Sequence, residues 1–174
     1  LSLRGDLAVV AGLALVFGFL LARRGLVLGD EGYILQQSLE VARGAVLYRD
    51  LDSFVAPGVW LLHAALFQFI EPGVLASRML AVGCFTATTV FAYAIARRAA
   101  SRATGWLAVA GIAVFSLWSF PAWTFSFYSP FSIAFVLVGL DRFLAFNDSR
   151  KTRDLFFLRG DALARDCLQA ELRD

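Results

Sequence analysis

Residues 7–22 read LAVVAGLALVFGFLLA, sixteen apolar residues without a charge, stopped by Arg23-Arg24. A helix needs roughly 20 residues to cross the hydrocarbon of a bilayer, so this run is a membrane span that borrows a few residues from 1–6 or 25–28. No small-residue cleavage site of the secretory kind accompanies it and further apolar runs follow, so it reads as a retained helix rather than a signal peptide. Gly12 and Gly18 suit a membrane helix, where small residues permit close packing. The composition agrees: of 174 residues 59% are hydrophobic and 17% charged, with mean hydropathy +0.69. A water-soluble domain of this size exposes too many positions to hide so much apolar surface. The solvent for this chain is lipid.

Four more runs fit the same reading. Spans are expected near 54–70, 74–96, 106–122 and 131–146, which makes an all-α integral membrane protein of about five transmembrane helices. Pro57 and Gly58 fall in the first turn of the second span, where a missing N–H costs little. Trp60 reads as an interfacial anchor. His63 and Gln68 lie within that span; an intramembrane His is a candidate functional group, although one facing a neighbouring helix most often hydrogen-bonds it. Glu71-Pro72-Gly73 forms a turn. Arg78 sits one turn into the third span, close enough to snorkel or to meet an anionic headgroup. Arg97, Arg98 and Arg102 form a basic loop, Trp118, Trp123 and Tyr128 resemble an interfacial belt, and Asp141-Arg142 reads as an internal pair.

The first loop, 25–53, holds the chemistry. Gly29-Asp30-Glu31-Gly32-Tyr33 carries an adjacent acidic pair, and Gly44-Ala45-Val46-Leu47-Tyr48-Arg49-Asp50-Leu51-Asp52 adds two more carboxylates. Gly29 and Gly32 break any helix there. From 33 to 41, Ile34, Leu35, Leu39 and Val41 recur near helical spacing among Gln36, Gln37 and Glu40, the pattern of a helix lying on the interface, ended by Gly44. The bland alternative is that these acids merely keep a loop in water.

Several functions are excluded or unsupported. Net charge is +2, and no basic patch with interleaved aromatics marks a nucleic-acid partner. Cys84 and Cys167 form neither a C-x-x-C nor a metal-ligand spacing. No phosphate-binding glycine loop, dinucleotide fingerprint or Ser-His-Asp order is present.

An apolar span, a loop with Asp-Glu-x-Tyr, an interfacial helix ended by Gly, then Leu-Tyr-Arg-Asp and a span opening with Pro-Gly together resemble the N-terminal part of the GT-C membrane glycosyltransferases. The nearest group is that of the protein mannosyltransferase-like and aminoarabinose-transferase-like enzymes. The likeness covers roughly residues 7–159. It implies a fragment of a hexosyl- or pentosyltransferase, expected to be inactive by itself, of the kind that moves a sugar from a polyprenyl-phosphate donor to an extracytoplasmic acceptor such as a cell-envelope glycan, lipid or protein. It implies residence in a bacterial inner membrane, with membrane lipid as a partner and the first loop facing outward. By the same likeness Asp30 is the general base, Glu31 its neighbour, and Asp50 or Asp52 the second acid. The chain has Ser53-Phe54-Val55-Ala56-Pro57 where the aminoarabinose group has Lys-Pro-Pro, which leaves the acceptor open.

The chemistry fits these residue types. A positioned carboxylate that takes the proton of an attacking hydroxyl contributes about 10²–10⁴-fold in rate. A lipid phosphate leaves as a stable anion and needs no acid, but a cation helps, and Arg49 and Arg78 are the candidates. The second acid either raises the pKa of the base or holds a divalent metal; no cofactor is otherwise implied. Two features pull the other way. With the N-terminus cytoplasmic, five spans put Arg23, Arg24, Arg43, Arg49, Arg97, Arg98, Arg102 and the tail outside, against the positive-inside rule. Residues 147–174 also hold 12 of the chain's 30 charged residues, a shift expected of a frameshifted or truncated end, or else of an amphipathic tail. The competing class is a non-enzymatic membrane protein, a transporter subunit or lipid-carrier flippase, although transporters place polar groups in broken helices at mid-membrane rather than in a loop.

Overall fold

The computed structural model describes residues 2–25, 28–53, 56–119 and 127–149. These form six helices in the order α1 (Leu3–Ala22), α2 (Leu28–Ala42), α3 (Gly58–Leu66), α4 (Val74–Ala99), α5 (Arg102–Trp118) and α6 (Tyr128–Ser149). Among the described residues the only β feature is an isolated bridge between Leu47 and Leu51. Three helices, α1, α4 and α6, are long and apolar enough to cross a membrane, and α5 is a shorter apolar helix.

The long helix α4 is the centre on which α1, α5 and α6 pack. On α1 the buried positions are Asp6, Val10, Ala14, Gly18 and Ala22, a single stripe at every fourth residue. Its small members let the two helices approach closely. A Cβ placed on Gly18 would stand 3.3 Å from side-chain atoms of Phe85 and Val82. A Cβ on Gly105 of α5 would come within 2.8 Å of the Tyr93 ring, so glycine is what lets α5 lie against α4. The remaining faces, with Leu13, Val16 and Leu20 on α1, Leu107 and Val114 on α5 and Phe135 and Val136 on α6, are exposed and apolar, as lipid-facing surfaces should be.

Hydrogen bonds fix the directions. Arg78 at the start of α4 reaches Ala22 at the end of α1, while Tyr93 near the end of α4 reaches Asp6 at the start of α1. The two helices are therefore antiparallel. Arg102 opens α5 beside Asp6, and Arg98 pairs with Asp141 late in α6. The bundle thus has an Asp6 end and an Asp30 end, with α2 and α3 both held at the latter.

This arrangement differs from the five-span expectation at residues 54–70. The helix there has nine residues, about 14 Å at 1.5 Å per residue, and turns at Phe67–Ile70 instead of continuing. One face of it, with Val59, Trp60 and Ala64, is buried against protein, while Leu61 faces outward. Val59, Trp60, Ile34 and Phe131 form one cluster, and Trp60 is 1% exposed, a core residue rather than an interfacial anchor. Hydropathy registers burial without distinguishing lipid from a neighbouring helix. A consequence is that Arg97, Arg98 and Arg102 lie at the Asp6 end, opposite the first loop. The described arginines then divide evenly, with Arg4, Arg97, Arg98, Arg102 and Arg142 at one end and Arg23, Arg24, Arg43, Arg49 and Arg78 at the other. The conflict with the positive-inside rule disappears. Trp118 is exposed and Tyr128 partly so; Trp123 and the tail from residue 150 onward lie outside the described residues.

Candidate functional site at the Asp30 end

The acidic pair is not in a loop. Helix α2 begins at Leu28 and takes Asp30 and Glu31 into its first turn, where negative side chains are favoured by the partial positive charge of the unsatisfied N–H groups. Gly29 and Gly32 do not break it, since a glycine penalty of about 1 kcal/mol is outweighed by the anchorage of Glu31. Successive helical residues point about 100° apart, and the pair is split accordingly. Glu31 is buried and Asp30 is exposed.

Glu31 forms a two-pronged ion pair with Arg78. Nε donates to Oε1 at 2.6 Å and Nη2 to Oε2 at 2.7 Å. The other guanidinium hydrogens go to backbone carbonyls just past and at the end of α1: Nη1 to Ala22 at 2.8 Å and Arg24 at 3.4 Å, and Nη2 to Gly25 at 2.8 Å. These carbonyls are among the acceptors that a helix terminus leaves orphaned. Arg78 therefore joins α1, α2 and α4 through one planar fork, the geometry for which arginine rather than lysine is suited. The expectation that it holds a donor phosphate needs correcting on this ground, because its donors are already committed. Arg24, which the sequence did not single out, is exposed beside this clamp, and among the described residues its guanidinium has no partner.

Asp30 keeps an unengaged carboxylate among the described residues. One turn on, Tyr33 donates its hydroxyl to the backbone carbonyl of Asp52 at 3.4 Å, and residues three apart on a helix are surface neighbours. The main chain at the exposed Asp52 is thereby tied to α2.

Asp50 has a different task. Its carboxylate accepts the Val46 N–H at 2.8 Å and both Nε and Nη2 of Arg49 at 2.8 Å. The Arg49 guanidinium first, and the Val46 amide second, hold its carboxyl below the usual carboxylate range. Together with Tyr48 N–H to Leu51 O and Asp50 N–H to Val46 O, this closes the tight turn of the Leu-Tyr-Arg-Asp motif. Of the two candidate second acids, Asp50 is a turn clamp and Asp52 is the available one. Arg49 is paired to Asp50 yet its side chain is 70% exposed.

The turn forces Tyr48 to φ +64°, a left-handed conformation that costs an L-residue about 1–2 kcal/mol. Among the described residues no other non-glycine has a positive φ.

His63 is structural. Nδ1 lies 2.7 Å from the Val59 carbonyl and Nε2 2.9 Å from Ser77 Oγ. The carbonyl accepts only, so Nδ1 carries a proton and donates it to Val59, while Nε2 shares a hydrogen bond with the serine hydroxyl. The ring ties α3 to α4.

At the opposite end lies a cluster that the sequence left unread. Asp6, fully buried, accepts from Tyr93 Oη at 2.8 Å, from Arg102 at 2.8 and 2.9 Å, and from Arg97. Three helices are pinned there. The expected Asp141–Arg142 pair is present, joined by Arg98.

Among the described residues no three His, Cys, Asp or Glu side chains converge on a point that would hold a metal ion. Among the described residues, fold and site together define an all-helical arrangement with three helices long and apolar enough to span a membrane. Neither protein families, nor characterised proteins, nor solved structures match this chain.

Proposed function

We propose that the chain is the N-terminal membrane part of a GT-C-type glycosyltransferase that uses a polyprenyl-phosphate-linked sugar. The observation that carries the reading is the division of labour in the acidic pair. Glu31 is locked to Arg78 in the bundle, which fixes the first turn of α2, and Asp30 is exposed with its carboxylate unengaged among the described residues. A pair that only kept a loop wet would not need a buried guanidinium partner 47 residues away.

In the proposed reaction the acceptor hydroxyl gives its proton to Asp30 as its oxygen bonds to the anomeric carbon. The bond from that carbon to the phosphate oxygen breaks, and the electron pair leaves with the polyprenyl phosphate. Asp52 is the second acid, on a segment that Tyr33, one turn beyond Asp30, ties to α2. Arg24 and Arg49 are the cations for the lipid phosphate. With equal numbers of described arginines at the two ends, charge does not oppose an outward Asp30 end, and the likeness to the family favours it in a bacterial inner membrane.

The test uses membranes containing the whole transferase of which this chain is proposed to be the N-terminal part and a panel of radiolabelled polyprenyl-phosphate sugars, with label followed out of the lipid fraction. Transfer from at least one sugar above protein-free membranes is expected. Label retained in the lipid fraction for every sugar refutes the proposal.

A further inference from the structure

We propose that Arg97 and Arg102, at the Asp6 end of the bundle, bind the phosphate of an anionic phospholipid whose acyl chains lie along α5. The inference is independent of the sugar chemistry assigned to the other end. It starts from an imbalance of charge. Both guanidiniums contact a single carboxylate, that of Asp6, and among the described residues neither has another, so the pair keeps one positive charge uncompensated. The whole end shares the bias. Its five described arginines stand with three described carboxylates, Asp6, Asp141 and Asp148, whereas the five at the other end stand with six: Asp30, Glu31, Glu40, Asp50, Asp52 and Glu71. A buried acid that only had to be neutralised would need one guanidinium.

The donors are only partly committed. Arg102 bonds Asp6 through Nε and Nη2, one edge of its planar fork, which leaves Nη1 on the other. Arg97 uses Nη1 for both Asp6 and Tyr93, and its Nε and Nη2 make no hydrogen bond among the described residues. The two side chains are 48% and 25% exposed, against 6% for the committed Arg78. Both touch the same oxygen, Oδ2 of Asp6, so they stand side by side. One phosphate can then take N–H groups from each, the charge-assisted pairing for which arginine is suited. Helix α5 begins at this point, and its first N–H groups, which no helical carbonyl accepts, add partial positive charge. The surroundings favour a lipid over a soluble phosphate ester. Trp106, one turn after Arg102, packs edge-on against Tyr93 at 5.4 Å and is partly exposed, as an interfacial anchor is. Ala103, Leu107, Gly111 and Val114 recur at helical spacing and are all exposed, so an apolar stripe starts one residue past Arg102. A headgroup at the arginines with chains on the stripe uses both features, in the manner of basic headgroup sites at the ends of membrane helices.

The experiment places the full chain in nanodiscs of phosphatidylglycerol and phosphatidylcholine mixed in a series of ratios, and native mass spectrometry counts the lipids that stay bound. Phosphatidylglycerol should be enriched over its share of the bilayer. Arg97→Gln and Arg102→Gln should each weaken its binding by about fivefold, the worth of one arginine near an anionic surface. Each variant leaves Asp6 with Tyr93 and the other arginine, and circular dichroism checks that the fold is kept. Arg4→Gln removes the same charge from the same end, but Arg4 is exposed two residues before Asp6, on the other side of α1. Its effect should stay within twofold. Absence of enrichment by the parent overturns the proposal, and is the result expected if carboxylates of residues 150–174 take the two arginines instead. That measurement needs no variant, so it decides even where a substitution unfolds the chain. Equal losses in Arg4→Gln and Arg102→Gln also overturn it, since they mean diffuse surface charge. So does displacement of phosphatidylglycerol by millimolar inorganic phosphate, which would make the ligand a soluble anion.

Discussion

Replacing Arg78 by Met removes every contact of the guanidinium at once while keeping most of the side-chain volume. Glu31 is 2% exposed and the Arg78 side chain 6%, so the carboxylate left behind is a buried, unpaired charge. Breaking such a pair costs about 3–5 kcal/mol. The carbonyls of Arg24 and Gly25 adjoin exposed residues and regain water, so they add little. For a chain of this size 1 kcal/mol moves the melting midpoint by roughly 2–4 °C, and Arg78→Met should lower it by about 6–20 °C. The double variant Glu31→Gln with Arg78→Met leaves no buried charge and should recover part of the loss, with a coupling of about 1–3 kcal/mol. Thermal unfolding in nanodiscs, followed by circular dichroism, reads all four corners of the cycle. An Arg78→Met midpoint within 2 °C of the parent, or additive effects within about 0.5 kcal/mol, would refute the clamp.

Other consequences are as direct. Gly105→Ala puts a methyl group where Tyr93 already stands, and overpacking of this kind costs about 1–3 kcal/mol, read as a lower midpoint. The folded-state pKa of Asp50 is depressed, so its clamp contributes fully above the unfolded carboxylate value of about 4 and is lost as pH falls through the lower folded value. Protection of the Val46 amide from hydrogen exchange, corrected for intrinsic rates, should hold at neutral pH and fade in acid, and pH-independent protection would contradict it. Exposed Gln36 and Ala103 lie at opposite ends. In a background with Cys84 and Cys167 replaced, Gln36→Cys and Ala103→Cys should react with an impermeant maleimide from opposite sides of the membrane. Labelling from one side would restore the five-span order.

The spans were legible where the apolar run is also a continuous helix. The runs at 7–22, 74–96 and 131–146 became α1, α4 and α6 with ends a few residues longer. The run at 54–70 was misleading because Trp60, His63 and Phe67 are apolar or aromatic for the sake of α2, α4 and α6, and hydropathy cannot name the partner. The start of α2 was hidden for a related reason. Two glycines argue locally against a helix, and the group that overrides them, Arg78, is remote in sequence. Asp6 drew no reading because its partners Tyr93, Arg97 and Arg102 are some 90 residues away. Acids and arginines were visible as candidates, but which were committed and which available depended on pairings that only the fold supplies.

The claim at the centre of this account is that Asp30 accepts the proton of the attacking hydroxyl. It is tested by the initial rate of sugar transfer from the polyprenyl-phosphate donor for Asp30→Asn, with Glu71→Gln in parallel as an exposed carboxylate that carries no role in the account. Asparagine matches aspartate in shape but cannot serve as the base, so transfer should fall by about 10²–10⁴-fold with the melting midpoint unchanged. Glu71→Gln should retain its rate. Full transfer by Asp30→Asn would contradict the account and return the exposed acid of α2 to the role of a wet surface residue.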